Sequence, residues 1–213
     1  MPHGRIQSSR QRSEHQTRER RRLALEAARL MAESGLRDYQ QAKSKAAQRL
    51  HIHDEALLPS NSEIEQALRE HQRLFAGAGQ QAALLQRRQA ALPAMQFFER
   101  FSPRLAGAVA DGTADDHSPV KLHLHSDDAD AVQRLLLEQG IPAELRSQQL
   151  RMDRVRDATV DVWSFNADGV DFELLVLPYD ALRQAPLSAV DGKPMRRLSS
   201  SQLKQLLTSQ PPA

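Results

Sequence analysis

The chain contains no cysteine. Disulfide frameworks and thiolate-bound zinc sites are therefore excluded, and so is every catalysis that uses a thiol. Aromatic residues are only 4% of the 213 residues, and no apolar run approaches the roughly 20 residues that a membrane-spanning helix needs. The amino terminus also lacks the apolar segment of a signal peptide, so we expect a cytoplasmic protein that does not contact a membrane.

Acidic residues are scarce in the first half of the chain. Lys and Arg outnumber Asp and Glu by 17 to 11 in residues 1–101 but are outnumbered by 16 to 12 in residues 102–213. Much of the basic excess is in seven arginines close to the amino terminus, Arg5, Arg10, Arg12, Arg18, Arg20, Arg21 and Arg22. We expect residues 1–17 to form a basic, disordered arm that can contact the phosphates of a nucleic acid or an acidic protein partner.

Helical periodicity dominates residues 18–79, which we expect to form a helical bundle region. Apolar residues recur there at spacings of three and four. Asp38 is positioned to cap a helix, and Ser60 with Glu63 has the spacing of a capping box. A further helix is predicted after residue 79, and Pro93 is expected to kink or split it.

After residue 102 the pattern changes to short runs rich in Val, Leu and Phe, so the chain is predicted to be an α+β protein. The predicted strand segments are 105–110, 120–125, 143–152, 159–166 and 170–177. Asp168-Gly169 predicts a hairpin between the last two. That pairing places Asp171 and Glu173 on the face of the sheet opposite Phe172.

The stretch "LAGAVADGTADDHSPVKLHL" resembles the signature of the nucleotidyltransferase superfamily, which has the polymerase-beta-like fold. In that family a strand ends in Gly-Ser, a loop often reading Gly-Thr-Ala follows, and a Ser-Asp-x-Asp-Leu strand carries two metal-binding acids. The matching positions here are Gly107, Gly112, Thr113, Ala114, Ser118 and Leu122.

The sequence departs from this signature where the family's chemistry resides. Ala108 replaces the serine that grips a phosphate, Pro119 replaces the first acid, and Lys121 replaces the second. Two-metal nucleotidyl transfer needs carboxylate oxygens to hold the ions. Whether the chain is an enzyme is therefore left open by its sequence.

The periodicity predicts a helical amino-terminal part, and the resemblance implies that a nucleotidyltransferase-like mixed sheet with flanking helices follows over residues 80–180. The composition of residues 181–213 predicts a Pro- and Gly-rich extension with one short helix. The function implied is binding of a nucleotide, a nucleic acid or a protein without two-metal catalysis, hence a pseudoenzyme. The residues expected to bind the ligand are Gly107, Gly112, Thr113, Ser118, Lys121 and His123.

Two acids lie on a later predicted strand, which is where the family's third acid normally lies. If any activity remains, Asp171 and Glu173 are the catalytic candidates, and Mg²⁺ is the one cofactor expected; otherwise we expect none. We also expect Lys121 to form an ion pair with Glu173 or with Asp171, since both acids lie opposite it in the predicted sheet.

Other functions remain open at this stage. One is an active, diverged nucleotidyltransferase that uses Asp115, Asp116, Asp171 or Glu173 as alternative acids. Another is a DNA-binding or assembly module that uses the basic arm. A third is a transition-metal site formed by His123 and His125 with His117, Asp115 and Asp116 nearby, because alternate positions of a strand can direct two imidazoles to one ion. No phosphate-binding loop of the GxxxxGK type and no Gly-x-Ser-x-Gly motif is present.

Overall fold

The computed structural model describes residues 3–36, 38–75, 78–128 and 130–209, and the side chains of residues 14–36, 38–72, 79–128 and 130–209. The described residues form a mixed α/β structure, which confirms the predicted class in its coarse form. The α-helices are α1 (His3–Ser34), α2 (Tyr39–Leu50), α3 (Asn61–Phe75), α4 (Ala78–Phe97), α5 (Gly107–Asp111), α6 (Ala131–Glu138) and α7 (Ser200–Ser209). The strands are β1 (Arg104–Ala106), β2 (Val120–His125), β3 (Glu144–Arg151), β4 (Asp157–Ala167), β5 (Val170–Leu177) and β6 (Arg197–Leu198).

The chain divides into two compact units, Met1–Ala76 and Gly77–Ala213. The division between residues 76 and 77 lies three residues before the predicted boundary at residue 79. Residues 76 and 77 are outside those described. No helix in the described part of the chain is long and apolar enough to cross a membrane.

Helices α1, α2 and α3 of the first unit share one apolar core. Its members are mostly small: Leu23, Ala24, Ala27, Ala28, Met31, Ala42, Ala46, Ile64, Ala67 and Leu68. Both predicted caps are present. The carboxylate of Asp38 accepts from the backbone N–H groups of Gln40 and Gln41 at 2.7 and 3.0 Å, and Ser60 and Glu63 bond reciprocally.

Helix α1 begins at His3 and not near residue 18. The segment expected to be a disordered arm is therefore helical from residue 3, while residues 1 and 2 lie outside those described. The segment contains Arg and Gln residues with good helix propensity and no proline after position 2, which explains how the helix extends so far.

The second unit is built on one six-stranded sheet with the order β3-β4-β5-β2-β1-β6. Every neighbouring pair is antiparallel except β2 and β5, which run parallel. The Asp168-Gly169 hairpin is confirmed, and both residues have positive φ, at 51° and 76°. The face of the sheet that carries Leu122, Leu174 and the stacked rings of Phe165 and Phe172 packs against α4, α5, α6 and α7.

The opposite face is covered by the chain that follows β5. Ala181 and Met195 pack there against Leu175 and Leu177. Strand β6 then extends the sheet beside β1, and α7 contributes Leu203 to the core on the other face. The segment from residue 181 to 209, expected to be an extension, is thus an integral part of the second unit; residues 210–213 lie outside the described part.

Two local predictions differ from the structure. The segment 105–110 was expected to be one strand, but the chain turns at Gly107 (φ 67°) and α5 begins there. Pro93 was expected to kink or split its helix, but α4 continues through it. Pro93 is exposed, and so the carbonyl that loses its helical partner can be hydrated.

Candidate functional site

The candidate site is formed by the β1–α5 turn, the loop from Gly112 to Pro119, and the facing strands β2 and β5. Gly107 makes the turn, with a φ of 67° that side chains rarely adopt. A Cβ at Gly107 would lie 3.8 Å from Lys121 Cβ and Cδ, which is an ordinary contact. Gly107 is therefore required by its backbone conformation and not by lack of space.

Lys121 and Glu173 occupy facing positions in the parallel β2–β5 pair. Lys121 Nζ lies 3.0 Å from Glu173 Oε2, so the predicted ion pair is confirmed with Glu173 as the partner. Arg146 from β3 donates through Nη2 to the other oxygen, Oε1, at 2.6 Å. The carboxylate is therefore held by two cations at once.

Opposing effects act on the pKa of Glu173. Burial raises it, but the charges of Lys121 and Arg146, together with the hydrogen bond from Arg146, outweigh the burial, so that the pKa falls below its ordinary value. Glu173 is consequently an anion at neutral pH, with both oxygens occupied by protein cations.

The second predicted acid, Asp171, is not part of this group. It accepts from Asn166 Nδ2 at 2.7 Å beside the β4–β5 hairpin and is exposed. Within the described residues, no three His, Asp or Glu side chains are arranged to hold a metal ion.

The loop that precedes β2 is organised by its own side chains. Ser118 Oγ donates to Asp115 Oδ1 at 2.7 Å and accepts from the Asp115 N–H at 2.9 Å, while His117 N–H donates to Asp115 Oδ1 at 3.1 Å. Ser118 is only 2% exposed. Its observed contacts are therefore structural ones that close the loop.

Two adjacent arginines on α4 also meet this loop. Arg87 is 6% exposed and donates to three backbone carbonyls, those of Ala83 (3.2 Å), Ser118 (2.6 Å) and Asp116. It links α4 to the loop through these backbone carbonyls.

Arg88 is equally buried and lies against Gly112, where a Cβ would be 3.4 Å from its Nη2. Its Nε donates to the Val109 carbonyl at 3.4 Å, and it makes no ion pair within the described part of the chain. Burial, and then the positive charge of Arg196, lowers the pKa of Arg88. Arg196 is exposed and directly precedes the β6 residue that pairs with Ala106.

The two histidines of β2 are buried beneath the chain that follows β5. His123 is 0% exposed, and neither of its ring nitrogens has a hydrogen-bond partner among the described residues. Burial, assisted by the charges of Arg197 and Lys121, lowers the pKa of His123 to about 3. His123 thus has no direct access to a ligand in solvent.

His125 is fixed by hydrogen bonds from both sides. Its Nδ1 lies 3.0 Å from the Ser102 carbonyl and its Nε2 lies 3.3 Å from Arg197 Nη1. Because a guanidinium only donates, Nε2 is the acceptor and Nδ1 carries the proton that Ser102 accepts. Burial is the main reason that the pKa of His125 is lowered to about 4.

Sequence reasoning missed Arg87, Arg146 and Arg197 as structural partners of the site. Arg146 belongs to a weakly patterned strand, and Arg197 to a turn-rich segment, so neither has a periodic signal. The predicted ligand-binding residues Gly107, Gly112, Thr113 and Lys121 do cluster around the turn and its loop, and their part in binding stays a prediction.

A comparison with protein-family models, with curated proteins and with solved structures finds no match to this chain.

Proposed function

We propose that the second unit is a nucleotidyltransferase-like domain that binds the phosphate groups of a nucleotide without performing two-metal transfer. The observation that carries this proposal is the position of Lys121, whose ammonium group lies 3.0 Å from Glu173. Lys121 stands where the resemblance expects a metal-binding acid, and Glu173 stands where it expects a third acid.

The order of elements supports the resemblance. A helix (α4) precedes a strand (β1) that is followed by Gly107, and a loop leads from α5 into β2, which runs beside the strand that carries Glu173. This succession of glycine turn, loop and facing strands is what the sequence motif implies for the superfamily.

The side chains at the motif favour an anion over a cation. Pro119 offers no side-chain oxygen, Lys121 brings a positive charge, and both oxygens of Glu173 are already bound. A divalent ion would have to displace two cations from a single carboxylate, and one carboxylate is a poor site for Mg²⁺.

Several cations remain available to a phosphate. The side chains of Lys121 and Arg146 are 29% and 46% exposed, so each keeps donors that can reach a ligand. Arg196 is exposed and makes no ion pair among the described residues. Guanidinium groups are well suited to phosphate because they donate two parallel hydrogen bonds.

Nucleotide binding in the absence of divalent ions tests the proposal. A fluorescent ATP analogue titrated into the protein with EDTA present should bind, and Lys121→Glu should weaken binding by roughly tenfold or more because an attraction becomes a repulsion. Lys204→Glu is the matched control, since Lys204 is an exposed lysine on α7. Absence of binding, or equal loss in both variants, would refute the proposal.

A separate incubation with each divalent ion addresses catalysis. Label transferred to an acceptor, and abolished by Glu173→Gln, would identify an active, diverged nucleotidyltransferase instead. The variant Lys121→Asp places a second carboxylate beside Glu173 and should gain Mg²⁺ or Mn²⁺ binding by calorimetry; no gain would count against a site that once held metal.

A second candidate function is nucleic-acid binding through α1. It is favoured by Arg18 and Arg21, which are exposed and make no ion pair within the described part of the chain. Converting both to Gln should weaken RNA or DNA binding and flatten its dependence on salt concentration. An unchanged affinity at two salt concentrations would exclude this function for α1.

A further inference from the structure

The carboxyl ends of β2 and β5 form a second place where a ligand could bind, remote in the sheet from the Lys121 end of β2. These strands are parallel neighbours, and so His125 and Leu177 end at the same edge of the sheet. After β2 the chain enters α6, whose Leu136 packs on one face. After β5 it enters the short helix Tyr179–Leu182, whose Ala181 packs on the other face.

Such a divergence opens a crevice. When two adjacent parallel strands send their connections to opposite faces, nothing fills the space outside their carboxyl ends. A cavity of about 420 Å³ lies at this position. Its lining includes Arg100, Phe101, Asp127, Arg134, Glu138 and Tyr179.

Hydrogen bonds connect the strand ends that line the cavity. The Ser126 N–H donates to the Leu177 carbonyl at 2.9 Å and joins the two strand ends. His125 is fixed between Ser102 and Arg197. A pocket that is already formed needs little ordering when a ligand binds.

The lining of the cavity offers an aromatic ring and a cation. Tyr179 is 52% exposed, although its backbone N–H is anchored to Asp127 Oδ1 at 2.9 Å. The Arg100 guanidinium lies 4.8 Å from the centre of the Phe101 ring and makes no ion pair among the described residues. Arg134, in contrast, is paired with Asp128.

The acids of the lining limit the charge of the ligand. Asp127, which accepts from the Tyr179 N–H, and Glu138 both contribute acidic groups to the lining. A singly charged anion can pair with Arg100 at little cost, whereas a phosphate dianion is repelled more strongly by these carboxylates.

We propose that this cavity binds a small aromatic carboxylate, whose ring lies against Tyr179 and whose carboxylate pairs with Arg100. The planar ring of the ligand would contact the planar ring of Tyr179. The ligand carboxylate would form with Arg100 the bidentate ion pair that arginine forms with carboxylates. This site is separate from the phosphate site proposed above, and either one can fail without the other.

Fluorine NMR of protein labelled with 3-fluorotyrosine locates binding directly. The chain has two tyrosines, Tyr39 in the first unit and Tyr179 at the cavity, and Tyr179→Phe identifies the second signal. Benzoate is the probe, benzamide is its uncharged match, and adenosine 5′-monophosphate supplies a phosphate instead of a carboxylate.

Benzoate should shift the Tyr179 signal in a saturable way and leave that of Tyr39 unchanged. Binding should weaken roughly tenfold with benzamide or in Arg100→Ala, but not in Arg154→Ala, an exposed arginine outside the cavity. No saturable shift with benzoate, or equal affinity in Arg100→Ala, would overturn the proposal. A larger shift with the nucleotide than with benzoate would overturn the choice of a carboxylate.

Discussion

The two buried histidines of β2 should make the stability of the second unit depend strongly on pH between 7 and 5. His123 and His125 have pKa values lowered to about 3 and about 4 in the folded protein. In the unfolded chain each returns to an ordinary value near 6.5. The unfolded state therefore binds protons first, and stability is fully present above the unfolded pKa and is lost as the pH falls through it.

The magnitude follows from the unfolded pKa and from the folded pKa being below 5. Each histidine loses about 1.4 kcal/mol per pH unit once the unfolded form is protonated. Between pH 7 and pH 5 this amounts to about 2 kcal/mol for one histidine and about 4 kcal/mol for both. Carboxylates such as Glu173 contribute mainly below this window, because their stabilisation is lost as pH falls through their own lowered pKa values.

Urea unfolding monitored by tryptophan fluorescence measures this loss of stability in the second unit. The single tryptophan, Trp163, lies on β4 and is 8% exposed in the core of the sheet. The variant His123→Leu removes one titrating group together with two ring nitrogens that have no partner among the described residues, so it should halve the loss while costing little stability at pH 7. His53→Leu, at an exposed position of the first unit, should leave the loss unchanged.

The reasoning fails if the wild-type protein loses less than about 1 kcal/mol between pH 7 and pH 5, because two buried neutral histidines demand more. It also fails if His123→Leu retains the full pH dependence.

Three further outcomes test the structure around the motif. Arg87→Met should destabilise the second unit by about 2–4 kcal/mol, because it leaves the carbonyls of Asp116 and Ser118 without their donor. Amide hydrogen exchange in the loop should then become faster. Gln89→Met, on the exposed side of α4, should change neither the stability nor the exchange. Gly107→Ala should lower the free energy of unfolding by urea by about 1–2 kcal/mol because of the positive φ at this position. Gly79→Ala, within α4 and with open space around it, should be neutral or stabilising. Equal effects of the two substitutions would contradict the backbone argument. Arg197→Leu removes the donor to the carbonyls of Ala181 and Leu182 and should speed proteolysis of the segment after β5, with Arg183→Leu as the exposed control.

Local rules predicted the parts of the fold whose signals are local. The Asp168-Gly169 turn set the register of β4 and β5, which is why Glu173 was placed on the correct face. Asp38 and the Ser60–Glu63 pair marked helix starts by chemistry that operates within four residues. The predicted ion pair of Lys121 with Glu173 or Asp171 depended on the alternation of side chains along a strand and on the assumption that the two strands are neighbours.

The remaining errors arose where distant segments decide the structure. His123 and His125 alternate like residues of an exposed strand face, and only the packing of residues 178–198 over that face buries them. Arg146 reaches Glu173 across an intervening strand, which no spacing within the chain reveals. The two-residue strand β6 is too short to have a period at all.

The pairing of β1 with β6 also determines when the second unit can be completed during synthesis. Leu198 pairs with Leu105 although 93 residues separate them in the chain. Similarly, β2 can pair with β5 only after β5 has been synthesised. Such distant pairings make folding slow. Until the last strand has emerged from the ribosome, the edge of β1 remains open to strands of other chains. Any shortened product that ends before Arg197 should therefore aggregate and not accumulate as a smaller folded protein.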